Sequence, residues 1–141
     1  MKLDLASNIK ASRGISPAAA STDNTAFVSQ IIDTAAFGSC VFLGQLGALA
    51  DADTTLTVLV EDGNNAALSD AAAVDDAFLV GVEAMGLQFD SDNKTFKIGY
   101  IGPKRYVRVT ITPANNTGNI FLAGIWVLGD PKVAPQTSQV V

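Results

Sequence analysis

Histidine is absent from the 141 residues. That excludes a Ser-His-Asp triad and a histidine-ligated metal, the two commonest routes to hydrolytic chemistry. There is a single cysteine, Cys40, so no disulfide can form within the chain and folding needs no oxidising compartment. Charge is scarce as well. Charged residues make up 16%, against about 25% in an ordinary soluble domain. Nine basic residues face fourteen acidic ones, for a net charge of −5. That balance gives no basic footprint for nucleic acid and no attraction to an anionic membrane. No hydrophobic run approaches the roughly 20 residues that span a bilayer as a helix. Met1–Ser21 contains Lys2, Asp4, Lys10 and Arg13 and lacks the continuous apolar stretch of a secretory signal. The expectation is a chain that folds in cytoplasm and touches neither nucleic acid nor membrane.

What the chain does have is apolar residues, at 48%, with a mean hydropathy of +0.30. A domain of this length has much surface for its volume. It must therefore expose apolar groups or cover them with copies of itself or a larger partner. One domain over residues 1–141, with one core, fits the length.

Period-2 alternation is the dominant pattern, and it predicts an all-β chain. From Arg105 to Thr112, Val107, Val109 and Ile111 alternate with polar residues, and Pro113 is expected to end the strand. Asn115-Asn116-Thr117-Gly118 then supplies turn chemistry. The run between Asn119 and Gly129 is apolar on both faces, which predicts a central strand or one covered by a partner. These two are expected to pair with each other. Thr55–Asp62 places Leu56, Val58 and Val60 on one face ahead of a turn at Asp62-Gly63. Further strands are expected within Asn8–Ile15, Thr25–Asp33, Ser39–Leu46, Phe78–Glu83 and Lys94–Ile101. Eight short strands at this spacing predict an antiparallel β-sandwich, for which the jelly roll is the usual eight-stranded form. Ala66–Asp76 is the one stretch with helical character, with Ser69 as a potential cap. Residues 1–24 and 130–141, each containing proline among small and polar residues, read as extended arms, either frayed or ordered on a neighbour.

No constellation calls for a cofactor or a metal. Asp90-Ser-Asp92 opens like a calcium loop, but Lys94 stands at the third ligand position and no glycine follows. Asp51-Ala-Asp53 and Asp75-Asp76 are shorter still, and all three read as solvated turns. Cys40 lies in the apolar run Ser39–Leu43, as a small core hydrophobe does. Glycines do not fall into a phosphate-binding spacing. The chain is expected not to be an enzyme. Lys94, Lys97, Lys104, Arg105 and Arg108 are five of the nine basic residues. This basic stretch on an acidic protein either meets a partner's carboxylates or is simply a solvated sheet face. Trp126 and Tyr106 read as core or interface anchors, with a sugar-stacking platform as the alternative. The candidate interface residues are therefore Lys104, Arg105, Tyr106, Arg108 and Trp126.

The run Lys97-Ile-Gly-Tyr-Ile-Gly-Pro-Lys-Arg-Tyr-Val-Arg-Val-Thr-Ile-Thr-Pro-Ala-Asn-Asn-Thr-Gly118, followed by Leu128-Gly-Asp-Pro131, resembles the cement proteins of tailed double-stranded DNA phages. Val28–Asp33, Leu49–Asp53, Val60–Gly63 and Ala67–Ala71 fit as well, so the resemblance spans about residues 8 to 135. It implies a jelly-roll subunit, dimeric, bound to the major capsid protein on the outside of the virion shell. It assigns no binding residues. The alternative function is a carbohydrate- or receptor-binding module of a phage tail or fibre, which calls for an exposed aromatic platform including Trp126 or Tyr106.

Overall fold

The computed structural model describes residues 1 and 3–140. Its strands run in the order β1 (Ile9–Ile15), β2 (Phe27–Val28), β3 (Ile32–Asp33), β4 (Phe37–Leu49), β5 (Thr55–Gly63), β6 (Ala72–Ala73), β7 (Leu79–Val80), β8 (Leu87–Gln88), β9 (Thr95–Tyr100), β10 (Tyr106–Ala114) and β11 (Ile120–Pro131). Three single-turn 3-10 helices accompany them, and no α-helix occurs among the described residues. The fold is an antiparallel β-sandwich. One sheet has five strands in the order β1-β11-β4-β9-β7. The other has six, with β2 and β3 both on one side of β10, and β6 and β8 both on the far side of β5.

The core lies between the sheets and follows from the alternation. β10 turns Val107, Val109 and Ile111 inward, and β5 does the same with Leu56, Val58 and Val60. From the opposing sheet come Phe42 and Leu46 of β4, Ile98 of β9, and Ile120, Leu122, Trp126 and Leu128 of β11. At roughly 1.5–3 kcal/mol for each large apolar side chain withdrawn from water, this layer is the main stabilising term.

β4 and β11 pair through Gly44 and Gly124, which face each other across the ladder. A Cβ at Gly124 would run into the Phe42 ring, and one at Gly44 into the Phe96 ring. The two glycines let the far ends of these rings pack directly against the strand backbone, and Phe42 meets Trp126 edge-on at 5.1 Å between centroids.

Several expectations are corrected. More strands form than the eight expected, because short two-residue pairings replace longer ones. Thr25–Asp33 splits into β2 and β3, since the Ser29 side chain takes over the ladder: Ser29 N–H donates to Val109 O at 2.8 Å, and Val109 N–H to Ser29 Oγ at 2.9 Å. β10 and β11 do not pair. The loop between them crosses from one sheet to the other, anchored by buried Asn116, whose amide donates to Asp23 O and Gly118 O. Pro113 does not end β10 but sits buried within it, opposite Leu56. Its missing N–H points to the β2 side, where pairing has already stopped at Ile111, so no ladder bond is lost. Ala66–Asp76 is not helical. Leu68 is buried with a φ of 52°, incompatible with a right-handed helix. Asp70 instead ties the loop by accepting Asn64 N–H at 2.8 Å and Asn65 N–H at 3.1 Å. The segment 1–24 contains β1, at the strand position expected within Asn8–Ile15, with a 3-10 turn at Ala6–Asn8 before it and an isolated bridge from Ser21 to Ile120 after it. Residues 132–140 carry no strand. Gln136 N–H donates to Ser7 O, which brings the two terminal segments together.

Candidate functional site

The two outer faces of the sandwich differ in kind. On the six-stranded sheet the outward positions are Tyr106, Arg108, Thr110 and Thr112 of β10 and Thr55, Thr57, Leu59 and Glu61 of β5. The charged groups there are paired with each other. Arg108 stands directly opposite Glu61 and donates to its Oε2 through Nε at 3.1 Å and Nη2 at 2.7 Å. Beside this pair, Arg105 makes a bidentate contact with Asp33, at 2.9 and 2.7 Å. That hydrogen bond holds the Asp33 carboxyl below the usual aspartate range and raises the Arg105 guanidinium. The same guanidinium lies 5.1 Å from the Tyr106 ring centroid.

The basic stretch of the sequence is therefore not one patch. β9 belongs to one sheet and β10 to the other, so Lys97 and Arg108 project from opposite sides of the molecule. Arg105 and Arg108 are engaged within the chain, which leaves them little charge to offer a partner. Lys104 is exposed. Its backbone N–H donates to the Tyr100 hydroxyl at 3.0 Å, and that hydroxyl donates to the buried Asp62 carboxylate at 2.7 Å. Trp126 offers no surface. It is 1% exposed, and its Nε1–H donates to Gln30 O at 3.1 Å. It is a core anchor, and it cannot be part of an aromatic platform or an interface. Cys40 is buried, and desolvation pushes its thiol up to about 12, which removes it as a nucleophile at neutral pH.

The outer face of the five-stranded sheet is the reverse. Cross-strand register places Ala11, Val127, Val41, Gly99 and Val80 in one row. Arg13, Ile125, Leu43 and Lys97 form the next, and Ala123, Gln45 and Thr95 a third. Ile125 and Phe121 are each 45% exposed and Val80 58%. At the β7–β9 edge, Ile101 N–H donates to Phe78 O, adding two more exposed apolar side chains. Four long strands about 4.8 Å apart and some seven residues of about 3.3 Å give a plate of roughly 440 Å² in projection, its polar positions included. That is the size of the largest patches on soluble monomers, which are often functional.

At the centre of the plate is a shallow depression over Gly44 and Gly124, rimmed by Leu43, Gln45, Thr95, Lys97, Ala123 and Ile125. The dip is the gap between the outward row of Ile125, Leu43 and Lys97 and that of Ala123, Gln45 and Thr95, floored by the backbone of Gly44 and Gly124, whose α-carbons turn toward the core. Among the described residues, Arg13 and Lys97 are the charged groups of this face, and neither is in an ion pair. No carboxylate projects from its strand positions. One signal for the plate was present in the sequence, the apolar-on-both-faces run of β11. Its neighbours Val41, Leu43 and Val80 give no signal until register puts them beside it.

No protein-family model matches the chain, and no curated protein sequence does. Among solved structures the chain is similar to a xylan-binding module, CBM15, at 12% sequence identity and a TM-score of 0.44, over 94% of this chain and 97% of that one.

Proposed function

We propose that this protein is a cement subunit of a tailed-phage virion, docked on the outside of the capsid shell through the outer face of its five-stranded sheet. The observation that carries the reading is the asymmetry of the sandwich. One face carries threonines and charged groups that are paired within the chain, as a surface left in water can. The other is a largely apolar plate whose two cations are unpaired among the described residues, as a surface to be covered should be. The sequence resemblance to cement proteins supplies the identity of the covering partner, the major capsid protein. A binding role by buried area alone needs no reacting group. Repetition over a shell lets each contact be modest, because a subunit tethered at one point meets its next contact at high effective concentration. The acidic balance of the chain suits the exterior, away from the packaged genome.

The test is co-sedimentation of the purified protein with particles assembled without it. Leu43→Asp puts a charge in the middle of the plate without touching the core. Binding by the wild type and its loss in this variant is the expected result. Equal binding by both would place the contact elsewhere. Binding to a polysaccharide column in place of the particles would favour the carbohydrate-binding function.

A further inference from the structure

We infer that the partner surface is heterologous and bears carboxylates opposite Arg13 and Lys97, around an apolar projection that enters the depression over Gly44 and Gly124. This rests on the decoration reading above and gives its partner a chemistry. Arg13 and Lys97 lie in one cross-strand row, on β1 and β9, with Ile125 and Leu43 between them. Covering the plate withdraws both cations from water. An uncompensated charge at a buried contact is costly, so a stable cover must bring the opposite sign to those two places.

A second copy of this chain cannot do so with the same face. In a self-complementary pairing each copy presents Arg13 and Lys97 to a plate with no carboxylate at its strand positions. The dimer implied by the sequence resemblance would then use another surface. The depression adds position to charge. It is apolar on its floor, with Gln45, Thr95 and Lys97 along one side. An apolar side chain flanked by an acidic residue satisfies both features at once, the apolar part over the glycines and the carboxylate on Lys97.

The experiment is a binding titration of the full chain on particles assembled without it, at low and high salt. Lys97→Glu, Arg13→Glu and the milder Lys97→Gln are compared with Thr112→Glu on the opposite face. Urea midpoints confirm that each variant folds, and sedimentation equilibrium reports self-association. The expected result is wild-type binding that weakens with salt, roughly tenfold weaker binding for each reversal, a smaller loss for Lys97→Gln, and none for Thr112→Glu. Wild-type binding with unaltered affinity in both reversals overturns the carboxylate partner and leaves the decoration reading standing. A dimer that Leu43→Asp dissociates overturns the heterologous occupant. Absence of wild-type binding removes the decoration reading, and the partner chemistry with it.

Discussion

Replacing Tyr100 with phenylalanine removes one oxygen from a place where the fold depends on it. The hydroxyl is the donor to Asp62 Oδ2 at 2.7 Å and the acceptor for Lys104 N–H at 3.0 Å. It bridges the two sheets, because Tyr100 ends β9 and Asp62 lies near the end of β5. Tyr100 is 5% exposed and Asp62 8%, so water does not readily replace the lost partner. A hydrogen bond to a charged group contributes about 1.5–3 kcal/mol, and a donor left without an acceptor costs about 1 kcal/mol more when it stays dry. Lys104 itself is exposed and its N–H can recover a water, so the sum should fall at about 2–3 kcal/mol. For a chain of this size, at roughly 4 °C per kcal/mol, the melting temperature should drop by about 8–12 °C. Burial, and then the bond to Asp62, push the phenol above its ordinary pKa, so the donor persists across the neutral range. The assay is urea unfolding of Tyr100→Phe, Asp62→Ala and the double variant. A coupling energy above about 1 kcal/mol is expected between the two sites. A single-variant loss under about 0.5 kcal/mol, or additive effects, would refute the argument that this bond ties the sheets.

Gly124→Ala should destabilise by at least about 1–3 kcal/mol in the same urea assay, because the added methyl meets the Phe42 ring and must displace it. Cys40, with its thiol pushed up to about 12, should resist an aromatic disulfide reagent at pH 8 and react at once when the chain is unfolded. Asp33 should titrate below the ordinary aspartate range by carboxyl NMR, and Arg105→Ala should bring it back up. The sign follows from the lowered folded-state value: whatever stability the pair adds is present above the unfolded pKa of about 3.9 and is lost as pH falls through the folded value. Both side chains are about half exposed, so the thermal midpoint at neutral pH should barely move in Arg105→Ala.

Much of the sandwich was legible because alternation is a direct imprint of a two-faced strand. Val107, Val109 and Ile111 announced β10, and Leu56, Val58 and Val60 announced β5, since each set faces the core. What was not legible depended on partners distant in sequence. Lys97 and Arg108 look like members of one basic cluster, and only the crossing of Gly102-Pro103 from one sheet to the other separates them. Arg105 looks free until Asp33, 72 residues earlier, is brought beside it. Trp126 could be placed on a surface or in a core, because β11 is apolar on both sides. The register with β4 and the Gly44–Gly124 contact decide it inward. The failed helix at Ala66–Asp76 has a similar cause: alanine-rich composition favoured it, while the buried Leu68 and the Asp70 cap hold the segment as a loop. The candidate site was the least legible part. Single apolar residues on separate strands carry no pattern along the chain, and they become a plate only when register aligns them.

The most direct test of the central claim is the amount of this chain in purified particles, quantified against the major shell protein. A cement that covers the shell predicts a ratio of the order of one copy per shell subunit. A handful of copies per particle, or none, would contradict it.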